Sequence, residues 1–258
     1  MSKLPKATAV PIQRAYTRGG RPVRVALVGL PNSGKSTLFK TVASTAVQTG
    51  ELAGTHSAYN ECAVQIGLDE VRLVDLPSIG SLHDLAHDER VTLQYLLWGD
   101  KRPPIAAHEP GRPPAPFAPP DVIIQVVDAT ALARHLEFTL ELSRLGRPMV
   151  IALNMMDDAA RKGLHIHHRR LSKQLGIPVV PTTMVMGMGI MELFTAALAS
   201  VRKRGGPQPR ASNRQLTQAL QPLSAALDQH EILEAFGMPH ALLLALAAAD
   251  DRYFRHEL

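Results

Sequence analysis

The feature that most constrains the fold is a glycine-containing segment of eight residues. It follows an apolar run and precedes a segment whose apolar residues recur at helical spacing. Residues 29–36, GLPNSGKS, match GxxxxGK[ST] and directly follow the apolar residues 25–28. A strand, a glycine-rich loop and a helix in this order form a phosphate-binding loop. Its backbone N–H groups and the helix N-terminus surround the phosphates, Lys35 neutralises the β and γ oxygens, and the Ser36 hydroxyl binds magnesium.

Two further motifs predict which nucleotide binds. Residues 154–157, NMMD, stand at the end of an apolar run. The Asp157 carboxylate can accept hydrogen bonds from N1–H and the exocyclic amine of guanine, a donor pair that adenine lacks. Asp75 follows the apolar run 71–74, where an acidic residue can hold magnesium through water. The sequence therefore predicts a site for GTP or GDP with magnesium.

Short β-branched runs alternate with longer segments of helical spacing, which predicts an α/β fold with a mostly parallel central sheet. The predicted strands are 23–28, 62–66, 71–74, 122–127, 150–153 and 179–180. The predicted helices are 36–46, 89–98, 131–145, 167–175 and 190–204. Beyond residue 210 only helical patterns occur, which predicts a small all-helical domain.

Composition changes predict the domain boundaries. Residues 1–22 are basic and lack the apolar block of a secretory signal, so we interpret them as a flexible leader. The nucleotide-binding domain is predicted at 23–204, with a proline-rich surface insertion at 101–120. The glycines and prolines of 205–210 mark the start of the helical domain, 205–258.

Charge and hydropathy narrow the classes of partner. A net charge of +5 permits contact with nucleic acid or an anionic membrane surface. Aromatic residues make up only 4% of the chain, too few for base-stacking platforms, so nucleic acid is not an expected partner. We find no apolar run near the roughly 20 residues that a membrane-spanning helix needs. If the protein acts at a membrane, we do not expect this part to cross it.

Six blocks, in order, resemble those of the cytosolic GTPase domain of the ferrous-iron transporter family FeoB. They are VRVALVGLPNSGKSTLFK, VRLVDLPSIGSL, LQYLLWGD, VIIQVVDATALARHLEFTLEL, VIALNMMD and PVVPTTMVMGMGI. The resemblance covers residues 24–100 and 121–200, and more loosely 211–258. It implies a Ras-like P-loop GTPase fold, GTP hydrolysis, a helical domain and, beyond it, a membrane permease for ferrous iron. It also implies a location at the cytoplasmic face of the bacterial inner membrane, and it leaves homo-oligomer formation open.

The motifs and the resemblance together predict the residues of the site. Lys35 and Asn32 are expected to stabilise the transition state, although no general base can be named. Magnesium is expected at Ser36, Asp75 and Thr55, and the resemblance implies a potassium ion at Asn32. The residues expected to contact the nucleotide are Gly29, Pro31, Asn32, Ser33, Gly34, Lys35, Ser36, Thr37, Asp75, Pro77, Ser78, Asn154, Met155, Asp157, Thr183, Met184 and Val185.

Departures from the family pattern predict weak activity. Ser78 replaces the glycine of DLPG, whose backbone N–H would meet the γ-phosphate, and Ile79 has no polar group to orient water. His56 occupies the place of the magnesium-binding threonine in the first switch, so Thr55 or Ser57 would have to substitute after a one-residue shift. In the loop that contacts the base in this family, Met184 stands where the family pattern has a serine. Hydrolysis should be slow, and potassium activation is left open by the altered first switch.

Two other functions remain open from the sequence. One is a guanine-nucleotide-sensing module with negligible hydrolysis, suggested by Ser78, Ile79 and His56. The other is a soluble RNA- or ribosome-associated GTPase, suggested by the basic charge.

Overall fold

The computed structural model describes most of the chain between residues 21 and 248. The described residues are 21–48, 53–55, 59–83, 85–86, 89–100, 118–203, 206–207, 218, 221–227 and 239–248. Nearly all of the predicted leader and residues 101–117 of the predicted insertion lie outside them.

A seven-stranded sheet forms the centre of the structure. Its strands are β1 (Val23–Val28), β2 (Ala53–Thr55), β3 (Asn60–Ile66), β4 (Asp69–Asp75), β5 (Val122–Asp128), β6 (Met149–Asn154) and β7 (Val179–Pro181). They lie in the order β2-β3-β4-β1-β5-β6-β7. The pairs from β4 to β7 are parallel, whereas β2 and β4 each run antiparallel to β3. The predicted mostly parallel α/β sheet is confirmed.

The central strand β1 is apolar along almost its whole length because both of its faces are covered. Val25 and Leu27 point to one face and belong to one apolar cluster, whereas Ala26 and Val28 belong to the cluster on the other face. All four side chains are fully buried. A central parallel strand with this burial fixes the position of the loop that follows Val28.

Helices cover both faces of the sheet. They are α1 (Lys35–Gln48), α2 (Arg90–Trp98), α3 (Leu132–Ser143), α4 (Met156–Arg161), α5 (His168–Leu175), α6 (Ile190–Arg202), α7 (Gln221–Leu227) and α8 (His240–Ala248). Buried side chains of α1 and α6 pack on the Val25 face, and those of α2 and α3 pack on the other face. Each predicted helix has a counterpart here, but α4 was not predicted, because six residues are too few to show helical periodicity.

The strand β2 was also not predicted. Its sequence, Ala-Gly-Thr, has neither alternation nor a β-branched run, so its pairing with β3 is set by the fold rather than by local preference. It becomes a strand because β3 offers it an unpaired edge.

The described part of the predicted helical domain consists of α7 and α8. Leu227 of α7, with Leu242 and Leu246 of α8, is buried in the same apolar cluster as α2 and α3. Among the described residues, no helix has the length and apolar composition needed to cross a bilayer. The boundary near residue 205 stays a prediction.

One polar pair lies buried between β5 and α3. The side chain of Gln125 donates from Nε2 to the carbonyl of His135 at 3.1 Å. His135 is 3% exposed, and its Nδ1 has no hydrogen-bond partner within the described part of the chain. Burial lowers the pKa of His135, a shift that nearby Arg134 reinforces and Asp128 opposes.

We predict that His135 makes stability fall in acid. Because its pKa is lowered by folding, the unfolded chain binds more protons below its ordinary value of about 6.5, and the free energy of unfolding decreases there. Urea denaturation at pH 7.5 and 5.5 should therefore show a larger loss for the wild type than for His135→Gln. The same change at the exposed His165 is the matched control. Equal losses in all three proteins would contradict the prediction.

Candidate functional site

The loop between β1 and α1 can be built only with glycine at two of its positions. A Cβ on Gly29 would lie 2.7 Å from the carbonyl oxygen of Val126, and one on Gly34 would lie 2.2 Å from Nδ2 of Asn154. Gly34 also has φ +95°, in the region that side chains disfavour. Asn32 has φ +63°, which asparagine tolerates. The loop therefore packs directly on β5 and β6, with its helix starting at Lys35.

The lysine of this loop reaches the end of β4. Strands β1 and β4 pair with Leu27 opposite Asp75, so the carboxyl end of β4 lies beside the loop. Lys35 Nζ donates to Asp75 Oδ1 at 2.5 Å and to the Leu76 carbonyl at 2.5 Å. Lys35 and Asp75 are both more than nine-tenths buried. A buried ammonium and carboxylate in contact form the electrostatic centre of the site.

Ser36 and Asp75 fit a magnesium ion. The Ser36 residue is exposed in the first turn of α1, one residue after Lys35. The Ser36 hydroxyl and the Asp75 carboxylate supply oxygen ligands, which magnesium prefers, and Lys35, the neighbour of Ser36 in the chain, contacts Asp75.

Thr55 lies at the same end of the sheet as Asp75 but not beside it. The register pairs Thr55 with Asn60 and Asn60 with Asp75, so β3 separates the two residues. Two strand spacings correspond to roughly 10 Å between their backbones. His56 and Ser57, the other residues of the first switch considered above, lie outside the described residues.

The segment after Asp75, residues 76–83, is held against the loop and the neighbouring helices. The Ile79 N–H donates to the Gly29 carbonyl at 3.2 Å, and the Ile79 side chain is fully buried. The Pro77 carbonyl accepts from Thr92 Oγ1 of α2 at 2.8 Å. Ser78, predicted to lie near the γ-phosphate, is half-buried between these contacts.

Glu141 of α3 holds the far end of the same segment. Its Oε2 accepts from the Leu82 N–H at 2.6 Å and from Ser81 Oγ at 3.0 Å. We did not predict a role for Glu141 or Thr92, because each is one polar residue on an amphipathic helix and matches no motif. Their contact with residues 76–83 is a property of the tertiary fold.

Asn154 joins three parts of the site. It ends β6 and is 4% exposed. Its Nδ2 donates to the Ser33 carbonyl at 3.0 Å, and its Oδ1 accepts from the Met184 N–H at 3.1 Å. The first contact holds the loop after β1, and the second holds the loop after β7.

Asp157 and its neighbours follow Asn154 directly. Met155 precedes α4 with φ +61°, and Asp157 lies in the first turn of α4, with its side chain 29% exposed. Asp157 Oδ2 is 3.7 Å from Arg161 Nη2. The predicted base-reading carboxylate is therefore three residues from the asparagine that contacts the phosphate loop.

The loop after β7 is closed by its own backbone. Thr183 and Met188 exchange two hydrogen bonds of 3.2 Å, and a 3-10 turn (Met184–Met186) lies between them. The Met184 side chain is buried in the core on the α1 and α6 face, and its backbone N–H donates to Asn154. Val185 next to it is 78% exposed.

A model of the family described as ferrous iron transport protein B matches residues 23–106 and 117–197. The chain belongs to the ferrous iron transport protein B family. The matched region is the N-terminal G domain of FeoB, which confirms the resemblance drawn from the sequence blocks.

Two relatives place the chain within the FeoB sequence. The Fe(2+) transporter FeoB of Escherichia coli K12 is 34% identical over 180 residues, which cover 68% of this chain and 21% of the relative. The Fe(2+) transport protein A/FeoB fusion protein of Porphyromonas gingivalis is 33% identical, over 70% of this chain and 19% of its own length. The chain thus spans about a fifth of the length of these relatives.

Solved structures of FeoB share the fold. A mutant S. thermophilus NFeoB bound to GDP has a TM-score of 0.69 and 26% identity, covering 92% of this chain and 83% of that one. The cytosolic domain of L. pneumophila FeoB has a TM-score of 0.69 and 26% identity, covering 91% and 84%. The apo cytosolic domain of T. maritima FeoB, at 24% identity and 92% and 85% coverage, has a TM-score of 0.74 and supports the fold alone. The predicted Ras-like P-loop GTPase fold is confirmed.

We predict that Asn154→Ala destabilises the apo chain strongly. The change leaves the Ser33 carbonyl and the Met184 N–H without their partner, at a cost of about 1–3 kcal/mol for each buried group. Urea denaturation without nucleotide measures the loss. Asn60→Ala, at an exposed asparagine on β3, is the control and should change stability by no more than about 0.5 kcal/mol. Similar losses in the two variants would show that the bridge contributes little.

Proposed function

We propose that this chain binds GTP and GDP with magnesium, hydrolyses GTP slowly, and regulates the transport of ferrous iron by the membrane part of the same protein. The observation that carries this proposal is the double contact of Asn154, because it brings the phosphate loop, the Asp157 helix and the loop after β7 into one site. The GDP bound to the related S. thermophilus protein supports the choice of nucleotide.

In this proposal Asp157 selects guanine. Its carboxylate accepts from N1–H and from the exocyclic amine, and it can do so without moving far because it is already at the start of α4. Adenine would leave that carboxylate without donors in a partly desolvated site, which costs affinity. Thr183, Met184 and Val185 border the base through their loop, and Met155 lies between that loop and the phosphates.

Nucleotide binding requires an exchange of partners at Lys35. In the structure its ammonium is paired with Asp75 and the Leu76 carbonyl. Phosphate oxygens carry more negative charge, so Lys35 turns to the β- and γ-phosphates and releases the Asp75 carboxylate. The backbone from Gly29 to Thr37, including Pro31, then surrounds the phosphates, with the N-terminus of α1 adding its dipole.

The released Asp75 and the Ser36 hydroxyl are the residues that would hold magnesium. When bound, the ion neutralises charge that builds on the β and γ oxygens during hydrolysis. Thr55 would join them only if the first switch brought it closer to Asp75, from which β3 now separates it. Asn32 is the residue that would hold a potassium ion.

Slow hydrolysis follows from the residues after Asp75. Ile79 offers no side-chain group to orient water, and its N–H is already bonded to Gly29. Pro77 and Ser78 lie nearest the expected γ-phosphate, but residues 76–83 are hydrogen-bonded to α2 and α3 as well. Positioning by Lys35 and Asn32 and electrostatic stabilisation are left to supply the acceleration. The hydrogen bonds that hold the segment after Asp75 also favour a second candidate, a guanine-nucleotide sensor with negligible turnover.

The remaining proposals concern the whole transporter. The relatives are about five times longer than the matched region, which leaves room for the permease that we propose as partner in the same polypeptide. This G domain would then lie at the cytoplasmic face of the inner membrane, with residues 205–258 as the helical domain between the two parts. Self-association would be a property of that assembly.

GTP turnover at matched ionic strength in potassium and in sodium tests hydrolysis. We predict slow turnover, which is higher in potassium if Asn32 holds the ion. Ser78→Gly should raise turnover by a further factor of about two to five. This factor corresponds to roughly 0.5–1 kcal/mol of backbone freedom. Lys35→Ala is the control for contaminating activity. If turnover does not exceed this control in either salt and does not rise with Ser78→Gly, the proposal of GTP hydrolysis is contradicted. The guanine-nucleotide sensor is then the remaining candidate.

A further inference from the structure

Three stretches of more than 30 residues carry lysines and arginines but no acidic residue: 1–50, 159–191 and 193–227. Residues 159–191 contain five of the 28 lysines and arginines, and this stretch is the one of the three that the structure describes throughout. Arg161 is ion-paired with Asp158 of its own helix. The other four cations are Lys162, Arg169, Arg170 and Lys173.

These cations lie on an open surface. All four are exposed, and the helix α5, which carries three of them, contains no buried residue. A shallow hollow of about 530 Å³ at the start of α5 is lined by residues 166–170. Three histidines, His165, His167 and His168, stand among the cations.

Large apolar side chains are exposed next to this charge. Leu164, between Lys162 and His165, is 42% exposed. In the loop after β7 and the start of α6, four more are between 60% and 78% exposed: Val185, Met186, Met188 and Met191. Met184 of the same loop is buried, in contrast to these three methionines.

Topology brings the charged and the apolar side chains to one end of the sheet. β6 ends at Asn154, and α5 then returns along β7, so α5 begins at the carboxyl end of the strands. The loop after β7 leaves from the same end, and β7 is the last strand of the sheet. We call residues 162–170 and the exposed side chains of 185–191 the outer corner.

We propose that the outer corner docks on an anionic phospholipid surface. Cations attract the headgroups, at about 1 kcal/mol for each lysine or arginine near the surface, and exposed leucine and methionine side chains can enter the boundary with the acyl chains. A nucleic acid would be attracted by the same charge. The corner contains no Phe, Tyr or Trp on which bases could stack, and exposed thioethers and leucine add nothing to phosphate contacts, so the lipid surface fits better.

Co-sedimentation with vesicles of phosphatidylglycerol and phosphatidylcholine, against vesicles of phosphatidylcholine alone, tests the proposal with the full 258-residue chain. We expect binding only to the anionic vesicles, weakened by salt. Arg169→Gln/Arg170→Gln should lower the partition coefficient about 30-fold. Lys40→Gln/Arg134→Gln removes the same charge from exposed positions on α1 and α3 and should lower it far less. The basic leader is the same in all these proteins.

A second pair of variants tests the apolar part. Met188→Gln/Met191→Gln keeps the charge and should lower the partition coefficient about threefold or more, since two apolar side chains no longer enter the interface. Thermal unfolding of each variant checks that it folds. The proposal would be overturned by any of three results. They are wild-type binding to anionic vesicles that is no greater than to neutral ones, equal losses in the two charge variants, and retention on RNA without binding to vesicles. An unchanged partition of the methionine variant would overturn the role of the loop after β7.

Discussion

The two hydrogen bonds of the Asn154 side chain hold the three loops of the proposed site together. The phosphate loop follows β1, the proposed guanine reader follows β6, and the third loop follows β7, so nothing in the chain order brings them together. One buried amide, which donates one hydrogen bond and accepts another, connects the first to the third and stands next to the second. The Cβ that Gly34 lacks would occupy the space of this amide, which ties the glycine of the loop to the asparagine of β6.

Charge compensation is the second constraint on the site. Lys35 and Asp75 are buried together, and each would be costly to bury alone. In the proposed nucleotide-bound state, phosphates would compensate the charge of Lys35 and a divalent cation would compensate that of Asp75. Binding would then replace one compensated arrangement with another. Hydrogen bonds between residues 76–83 and Gly29, Thr92 and Glu141 hold this segment in the apo arrangement, which gives a physical route from the phosphate pocket to α2 and α3.

Much of this could be predicted from the sequence because central parallel strands are apolar along their length and end at functional residues. Val23–Val28 was predicted to the residue, and the loops after it and after Asn154 were recognised from spacing. The edge strand Ala53–Thr55 was not, since two of its three residues, an alanine and a glycine, disfavour strands. Glu141 was missed because its role depends on which segment faces α3. The exposure of Met186, Met188 and Met191 could not be predicted either, because a run of methionines has the same composition whether it packs inside or lies on the surface.

The central claim is that one site, built around Asn154, reads guanine through Asp157. Calorimetric titration of GDP and ADP, in magnesium, into the wild type, Asp157→Ala and Asp158→Ala tests it most directly, since Asp158 is the next residue of the same helix. The account predicts that wild type and Asp158→Ala prefer GDP by more than about 1000-fold, and that Asp157→Ala loses most of this preference. Equal affinity of the wild type for GDP and ADP, or a full preference retained by Asp157→Ala, would contradict it.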